Sequence, residues 1–415
     1  MPRAPAPAFL APRIRAPPTN AAPETHAMDF ALSPEQESIR ESVARICERF
    51  DDTYWSKKDQ EGGFPHELYH ALAEAGWLGV CTPEAYGGSG LGVVEASIVA
   101  RTISESGAGM SGASAVHINI FGLNPVVVFG THEQKLRMLP PMVQGRQKAC
   151  FAVTEPNTGL NTTQLKTRAV RKGDRYVVDG HKVWISTAQV ADKMLLLART
   201  TPLEEVRKPT EGLSLFYTDF DRTRITAREI DKMGRKPIDS NELFIEGFEV
   251  PVEDRIGEEG KGFEYILHGM NPERVMIAAE AIGLGHAALR RATQYAKDRV
   301  VFNRPIGQNQ AIQHPLAVNW MELEAAWLMT LSAAWQYDNN LPCGAAANAA
   351  KYLAGEAGFN ACQQAVMTHG GFGYAREYHV ERYLREVMIP RIAPISPQLV
   401  MCYIAERVLG LPKSY

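Results

Sequence analysis

The hydrophobic pattern of this chain changes its period twice, near residues 150 and 260, which rules out one uniform architecture. Ahead of the first change, apolar residues recur at helical spacing: Ile39, Val43, Ile46 and Phe50, then Leu68, Leu72 and Ala75. Ser33-Pro34-Glu35 opens this block with a capping side chain followed by a proline suited to a first helical turn. The glycines of Pro83-Glu84-Ala85-Tyr86-Gly87-Gly88-Ser89-Gly90 break it with a turn. Between the changes, short β-branched runs alternate with turn dipeptides. Residues 167–170 and 176–178 flank Lys172-Gly173-Asp174 as a hairpin, and Asp179-Gly180 reads as a second turn into 182–186. Residues 194–198, 213–217 and 243–245 are further strands, a spacing that predicts a small antiparallel barrel or sandwich. Past 260, the long Ala-, Leu- and Trp-rich stretches 316–337 and 344–367 predict a helical bundle. The expected class is α+β, with a helical domain over 28–150, a β domain over 151–259 and a helical bundle over 260–415.

Charge and cysteine usage narrow the function. Lys and Arg total 44 against 47 Asp and Glu, a net charge of −3, so nothing draws the chain to nucleic acid or anionic lipid. No stretch approaches the ~18 uninterrupted apolar residues of a membrane span. A soluble protein without nucleic-acid or membrane partners is expected. Six cysteines are scattered singly with no CxxC, which argues against zinc ribbons and thioredoxin chemistry and fits a reducing compartment. His66 and His70 share a helical spacing but lack a third ligand, so they read as surface histidines and no metal is expected. Residues 1–27 carry seven prolines, no apolar h-region and no serine, and are expected to be a disordered or non-native extension ahead of Met28. A cytoplasmic location is expected, with the mitochondrial matrix as the alternative.

Four motifs in order carry a resemblance that runs from about residue 30 to the end. Pro83-Glu84-Ala85-Tyr86-Gly87-Gly88-Ser89-Gly90 resembles the P-E-x-Y-G-G-x-G turn of the acyl-CoA dehydrogenase family. Phe151-Ala152-Val153-Thr154-Glu155-Pro156-Asn157-Thr158-Gly159 is similar to its first signature, and Trp184-Ile185-Ser186 to its W-I-T/S strand. Gly370-Gly371-Phe372-Gly373-Tyr374, followed by Glu377, Arg382 and Glu386, resembles the second signature. The resemblance implies helical, β and four-helix-bundle domains, bound FAD, an acyl-CoA substrate, a homotetramer, and electrons passed to an electron-transfer flavoprotein. It implies that Phe151, Val153 and Thr154 line the flavin, that Trp184 packs on the ring beside Ile185, and that Ser186 reaches its N5 side. Read without the motif, Trp184 is a core aromatic inside a strand. Arg299, with Phe302 near it, would meet the FAD pyrophosphate, a fitting partner for a guanidinium. Asn309 and Gln310 would contact FAD from a neighbouring subunit, and Gly370, Gly371, Ser396 and Gln398 complete the implied cofactor set. Leu160, Asn271 and Arg274 are the implied substrate contacts.

The implied reaction removes a proton from the α-carbon and a hydride from the β-carbon of a thioester, so it needs a base and a group to stabilise enolate charge. The position where most of the family carries its glutamate is Pro394 here, which has neither a carboxylate nor an N–H. A subset resembling isovaleryl-CoA dehydrogenase carries the base in a Glu-Arg pair, and Asn271-Pro272-Glu273-Arg274 matches it, making Glu273 the expected base. The plain reading of Glu273 is a carboxylate favoured by a helix N-terminus after Pro272. With proline at 394, either Ala393 or Ile395 supplies the donor to the thioester, or the chemistry departs from dehydrogenation. Oxidase or lyase-like chemistry on the same fold, and a non-catalytic flavin- or CoA-binding relative, are the alternatives.

Overall fold

The computed structural model describes residues 31–414; the expectations for residues 1–27 and Met28 lie outside the described residues. The first block is helical: α1 (Pro34–Cys47), α2 (Asp52–Glu61), α3 (His66–Glu74), α4 (Val93–Ile103), α5 (Gly109–Phe121), α6 (Asn124–Phe129) and α7 (His132–Val143). Ser33 caps α1 as expected. Its hydroxyl accepts from Gln36 N–H at 3.2 Å while Ser33 N–H donates to the Gln36 side chain at 3.0 Å. Ile39 and Val43 then face inward with the buried side of α4.

The middle block is one eight-stranded sheet. Its strands are β1 (Ala149–Ala152), β2 (Arg168–Lys172), β3 (Arg175–Ser186), β4 (Lys193–Arg199), β5 (Leu213–Asp219), β6 (Ile225–Glu229), β7 (Ser240–Pro251) and β8 (Arg255–Ile256). The order is β6-β7-β3-β2-β4-β5-β8, with β1 alongside β4. Most pairings are antiparallel as expected, but β1 runs parallel to β4 because it arrives straight from the helical block and not through a hairpin. The Asp179-Gly180 turn is corrected. β3 is continuous through it, and the register against β7 shifts between Val178 and Gly180. A side chain at 180 would come within 2.3 Å of the Thr167 hydroxyl, so glycine serves a close approach and not a reversal. Alternation on β4 sends Met194, Leu196 and Ala198 to one core and Leu195 and Leu197 to another, which α6, α7 and the next helix cover.

That helix, α8 (Gly262–Asp298), is 37 residues long. A hairpin of β9 (Val300–Val301) and β10 (Arg304–Pro305) leads to α9 (Gln310–Asp338) and α10 (Gly344–His369). Three long helices form the bundle, and its fourth side is built from short pieces: α11 (Val380–Glu386), α12 (Met388–Ile392) and α13 (Pro397–Tyr403). Small residues set the spacing: a Cβ on Gly358 would stand 2.7 Å from Ala281 O. Among the described residues, two helical runs, Val93–Phe129 and Val380–Val408, are long and apolar enough to cross a membrane. The first is mostly buried inside the fold, and the second carries the ion pairs Arg385–Asp59 and Arg391–Glu356.

Candidate active site

One face of α5 draws the candidate residues together. Ser114, His117 and Phe121 lie three and four residues apart, so they point the same way. Ser114 Oγ accepts from Arg235 at 3.1 Å, and the same guanidinium donates to Ser186 Oγ at 3.2 Å, at the end of β3. His117 Nδ1 bonds the Glu280 carboxylate on α8. Phe121 packs on Phe151, ring centroids 5.1 Å apart. Strand end, signature loop and α8 thus converge on one helix.

The signature loop is held from beneath by Lys182. Its buried ammonium donates to Val153 O at 3.0 Å, Leu197 O at 2.8 Å and Glu155 Oε1 at 3.1 Å, using all three of its hydrogens. Glu155 in turn accepts from the N–H groups of Lys166 and Thr167. Val153 is buried in the sheet's helix-facing core, and Thr154 is half-buried, its carbonyl accepting from Val183 N–H at 2.9 Å.

Trp184 is not the core aromatic of the plain reading. It is 59% exposed, with φ of 60°, inside the second register shift of β3. A bulky residue in the left-handed region costs of order 1–3 kcal/mol and persists where its surroundings impose it. The indole therefore stands free of the sheet as a face for a planar ligand. The Ile185 side chain lies in the opposite core, so only its backbone is available to such a ligand. Leu160 is exposed on the loop.

Glu273 sits half-buried on α8, after Pro272 but eleven residues past the helix start at Gly262, so the helix N-terminus does not explain it. Burial pushes its carboxyl up to about 7, against the pull of His117 and Arg274, with Glu280 adding a push of its own. Arg274 donates to Met270 O at 3.2 Å and to Asn271 Oδ1 at 3.0 Å, leaving its buried Nε without a hydrogen bond among the described residues. Asn271 also approaches Cys343 Sγ at 3.4 Å.

The segment around Pro394 is anchored by Lys351 of α10, whose buried ammonium donates to Ile395 O at 2.6 Å. Ala393 N–H is committed to Ile389 O at 2.8 Å. Of the two donors considered for this loop, Ile395 N–H is the one with no hydrogen-bond partner among the described residues. Ser396 caps α13 by accepting from Leu399 N–H at 3.3 Å, and Gln398 is exposed on the same first turn.

Six other expected cofactor residues form a separate group. Arg299 is exposed at the far end of α8, stacked over Phe372 at 5.9 Å, beside a cavity of about 660 Å³ lined also by Tyr295, Gly370 and Gly371. Gly370 has φ of 60°, and a Cβ on either glycine would meet nothing, so backbone is open to a ligand there. Phe302 stands 94% exposed at the β9–β10 tip, while Asn309 accepts from Arg304 at 2.7 Å and precedes exposed Gln310 at the start of α9. Glu273 within α8 and Arg299 at its C-cap are 26 residues and roughly 40 Å apart at the α-helical rise. A platform with an exposed indole and a cavity with open glycine backbone beside the Arg299 guanidinium fit the two halves of a flavin dinucleotide.

The sequence reading missed Lys182, Glu155, Arg235, Lys351 and the His117–Glu280 pair. Lys182 had a signal, since it falls in the inward register of Tyr176 and Val178. Arg382 and Glu386 of the second signature serve the fold: Glu386 accepts from Ser111 Oγ at 2.8 Å, and Arg382 donates to Gly107 O at 2.7 Å.

Comparison with known proteins agrees with this layout. The chain matches three family models, described as acyl-CoA dehydrogenase N-terminal domain over residues 33–146, middle domain over 150–248 and C-terminal domain over 260–408. It is 36% identical over 390 residues to the acyl-CoA dehydrogenase FadE12 of Mycobacterium tuberculosis, covering 93% of this chain and 99% of that one. Among solved structures it resembles butyryl-CoA dehydrogenase from Megasphaera elsdenii, with TM-score 0.87, 29% identity and 92% and 100% of the two chains covered. It also resembles a protein solved as the FAD complex of PigA, with TM-score 0.87, 25% identity and 92% and 100% covered.

Proposed function

The chain belongs to the acyl-CoA dehydrogenase family and is therefore an FAD-dependent oxidoreductase acting on CH–CH donors; from that premise we propose that it dehydrogenates a CoA thioester with Glu273 as its base. The observation that carries this reading is the state of Glu273. It stands on α8 beside the half-buried Arg274, whose buried Nε has no hydrogen-bond partner among the described residues, and burial pushes its carboxyl up to about 7, where a base poised near neutrality is efficient. FAD, when bound, supplies the hydride acceptor.

This chain's residues do the rest. Glu273 takes the α-proton, and Arg274 and Asn271 hold the substrate beside it. Ile395 N–H, its carbonyl held by Lys351, donates to the thioester oxygen and replaces the donor that Pro394 lacks. Trp184 would pack on the bound flavin, and Ser186, held by Arg235, would hydrogen-bond it. The roughly 40 Å between Glu273 and Arg299 supports a site shared between two copies, hence a homo-oligomer, with a tetramer as the family-like assembly. An electron-transfer flavoprotein is the proposed acceptor.

The test is an anaerobic titration of the purified flavoprotein with straight, branched and aromatic acyl-CoAs. Bleaching of the flavin band by some members supports dehydrogenation and sorts the acyl class. A fully loaded flavin that no thioester bleaches contradicts it.

A further inference from the structure

Two turns beyond Glu273 on the same face of α8 lies a second carboxylate, Glu280. It is completely buried. One oxygen meets His117 Nδ1, and the other has no hydrogen-bond partner among the described residues. A buried carboxylate satisfied on one side only is costly unless a full positive charge faces it, so the pair holds as imidazolium and carboxylate. The direction of the His117 shift agrees: burial alone would lower it, but Glu280 and then Glu273 raise it.

The neighbouring charges are few. Arg235, from the loop between β6 and β7, lies within electrostatic reach of both Glu280 and His117 and is itself faced by Asp239 and Glu386. Glu386 is paired with Arg382 on α11. From α3, Tyr69 Oη accepts from the Asn119 side chain of α5 at 3.4 Å. Ser104 bonds the Glu280 backbone carbonyl, and Arg101 of α4 is turned to Glu105 and Glu324.

We propose that His117 and Glu280 are positioning residues for Glu273: a charge-balanced pair, built two helical turns behind the base, that sets the pH at which the base accepts a proton. The proposal rests on the assignment of Glu273 as base. Neither residue need touch substrate. Their effect is that the carboxylate nearest the base along α8 presents no net charge to it. Removing the imidazolium alone leaves Glu280, still faced by the Arg235 guanidinium and so kept ionised, as a like charge on the base's own helix face, which disfavours ionised Glu273. Removing both restores neutrality.

The experiment compares the pH profile of kcat/KM for wild type, H117Q, E280Q and the double variant, each checked for full FAD content. H117Q should move the acidic limb upward by about one pH unit, a tenfold loss on the acid side, and adding E280Q should bring the limb back to near its wild-type place. Infrared titration of the carboxylic acid band that E273Q lacks should move in parallel, independent of turnover. H117N, a smaller uncharged replacement, is the second variant should H117Q fail to fold, and it must shift the limb the same way. An unmoved limb in the loaded single variants, or a double variant as displaced as H117Q, overturns the proposal. E273Q separates the two failures: if it retains activity, the base assignment itself is wrong; if it is inactive while H117Q leaves the limb in place, only the role of the pair falls.

Discussion

Lys182 Nζ stands 3.1 Å from Glu155 Oε1, and the two buried side chains tie the strand that ends in Trp184, Ile185 and Ser186 to the loop that follows Ala152. The pair is well supplied with further bonds: two carbonyls for the ammonium and two backbone N–H groups for the carboxylate. Breaking such a pair from one side leaves a buried charge uncompensated. Lys182→Met should cost about 3–5 kcal/mol in urea unfolding. Because the same lysine holds Val153 O, FAD retention after dialysis should fall with it.

Glu273 predicts the pH dependence. The base must be ionised to take a proton, and its carboxyl is pushed up to about 7. The rate constant kcat/KM should therefore rise with pH, its acidic limb centred near 7 and not near the ordinary carboxylate value. A limb near 4.5 would show that another group takes the proton.

The same shift has a stability consequence. A carboxyl whose folded value lies above its unfolded one costs stability once it is ionised, so the penalty is full above about 7 and fades as pH falls toward the unfolded value. Glu273→Gln removes the penalty. Its thermal midpoint should exceed wild type by several degrees at pH 8, with the gap shrinking toward pH 5. Equal midpoints at both values would mean that Glu273 is not held in a desolvated site.

The separation of Glu273 from Arg299 predicts complementation between chains. Arg299→Ala alone should lose FAD on dialysis, and Glu273→Gln alone should keep FAD without turnover. Mixed oligomers refolded from the two variants should recover part of the wild-type activity, since one site in such a mixture draws both intact residues from different copies. Mixtures no more active than their parents would place both halves of the site in one chain.

Much of this was legible in the linear chain. The two changes of period mark where helices give way to the sheet and return, because periods of 3.6 and 2 leave different residue spacings. The four motifs that carry the family resemblance were legible as well. What was hidden depends on encounters across the fold. Asp-Gly ordinarily signals a turn, but at 180 the missing side chain makes room for Thr167, which no local pattern announces. The parallel β1–β4 pairing depends on how the helical block delivers β1. His117 and Glu280 are 163 residues apart, and each alone reads as an ordinary polar residue in an apolar helix. The exposure of Trp184 follows from a register shift set by the partner strand, which only the assembled sheet reveals.

The most direct measurement is an anaerobic titration of Glu273→Gln with the acyl-CoA that bleaches the wild-type flavin most fully. The account predicts a loaded flavin whose spectrum shifts on binding but does not bleach, because the thioester is held and its α-proton stays in place. Bleaching at the wild-type rate would contradict it and send the search for the base elsewhere in the site.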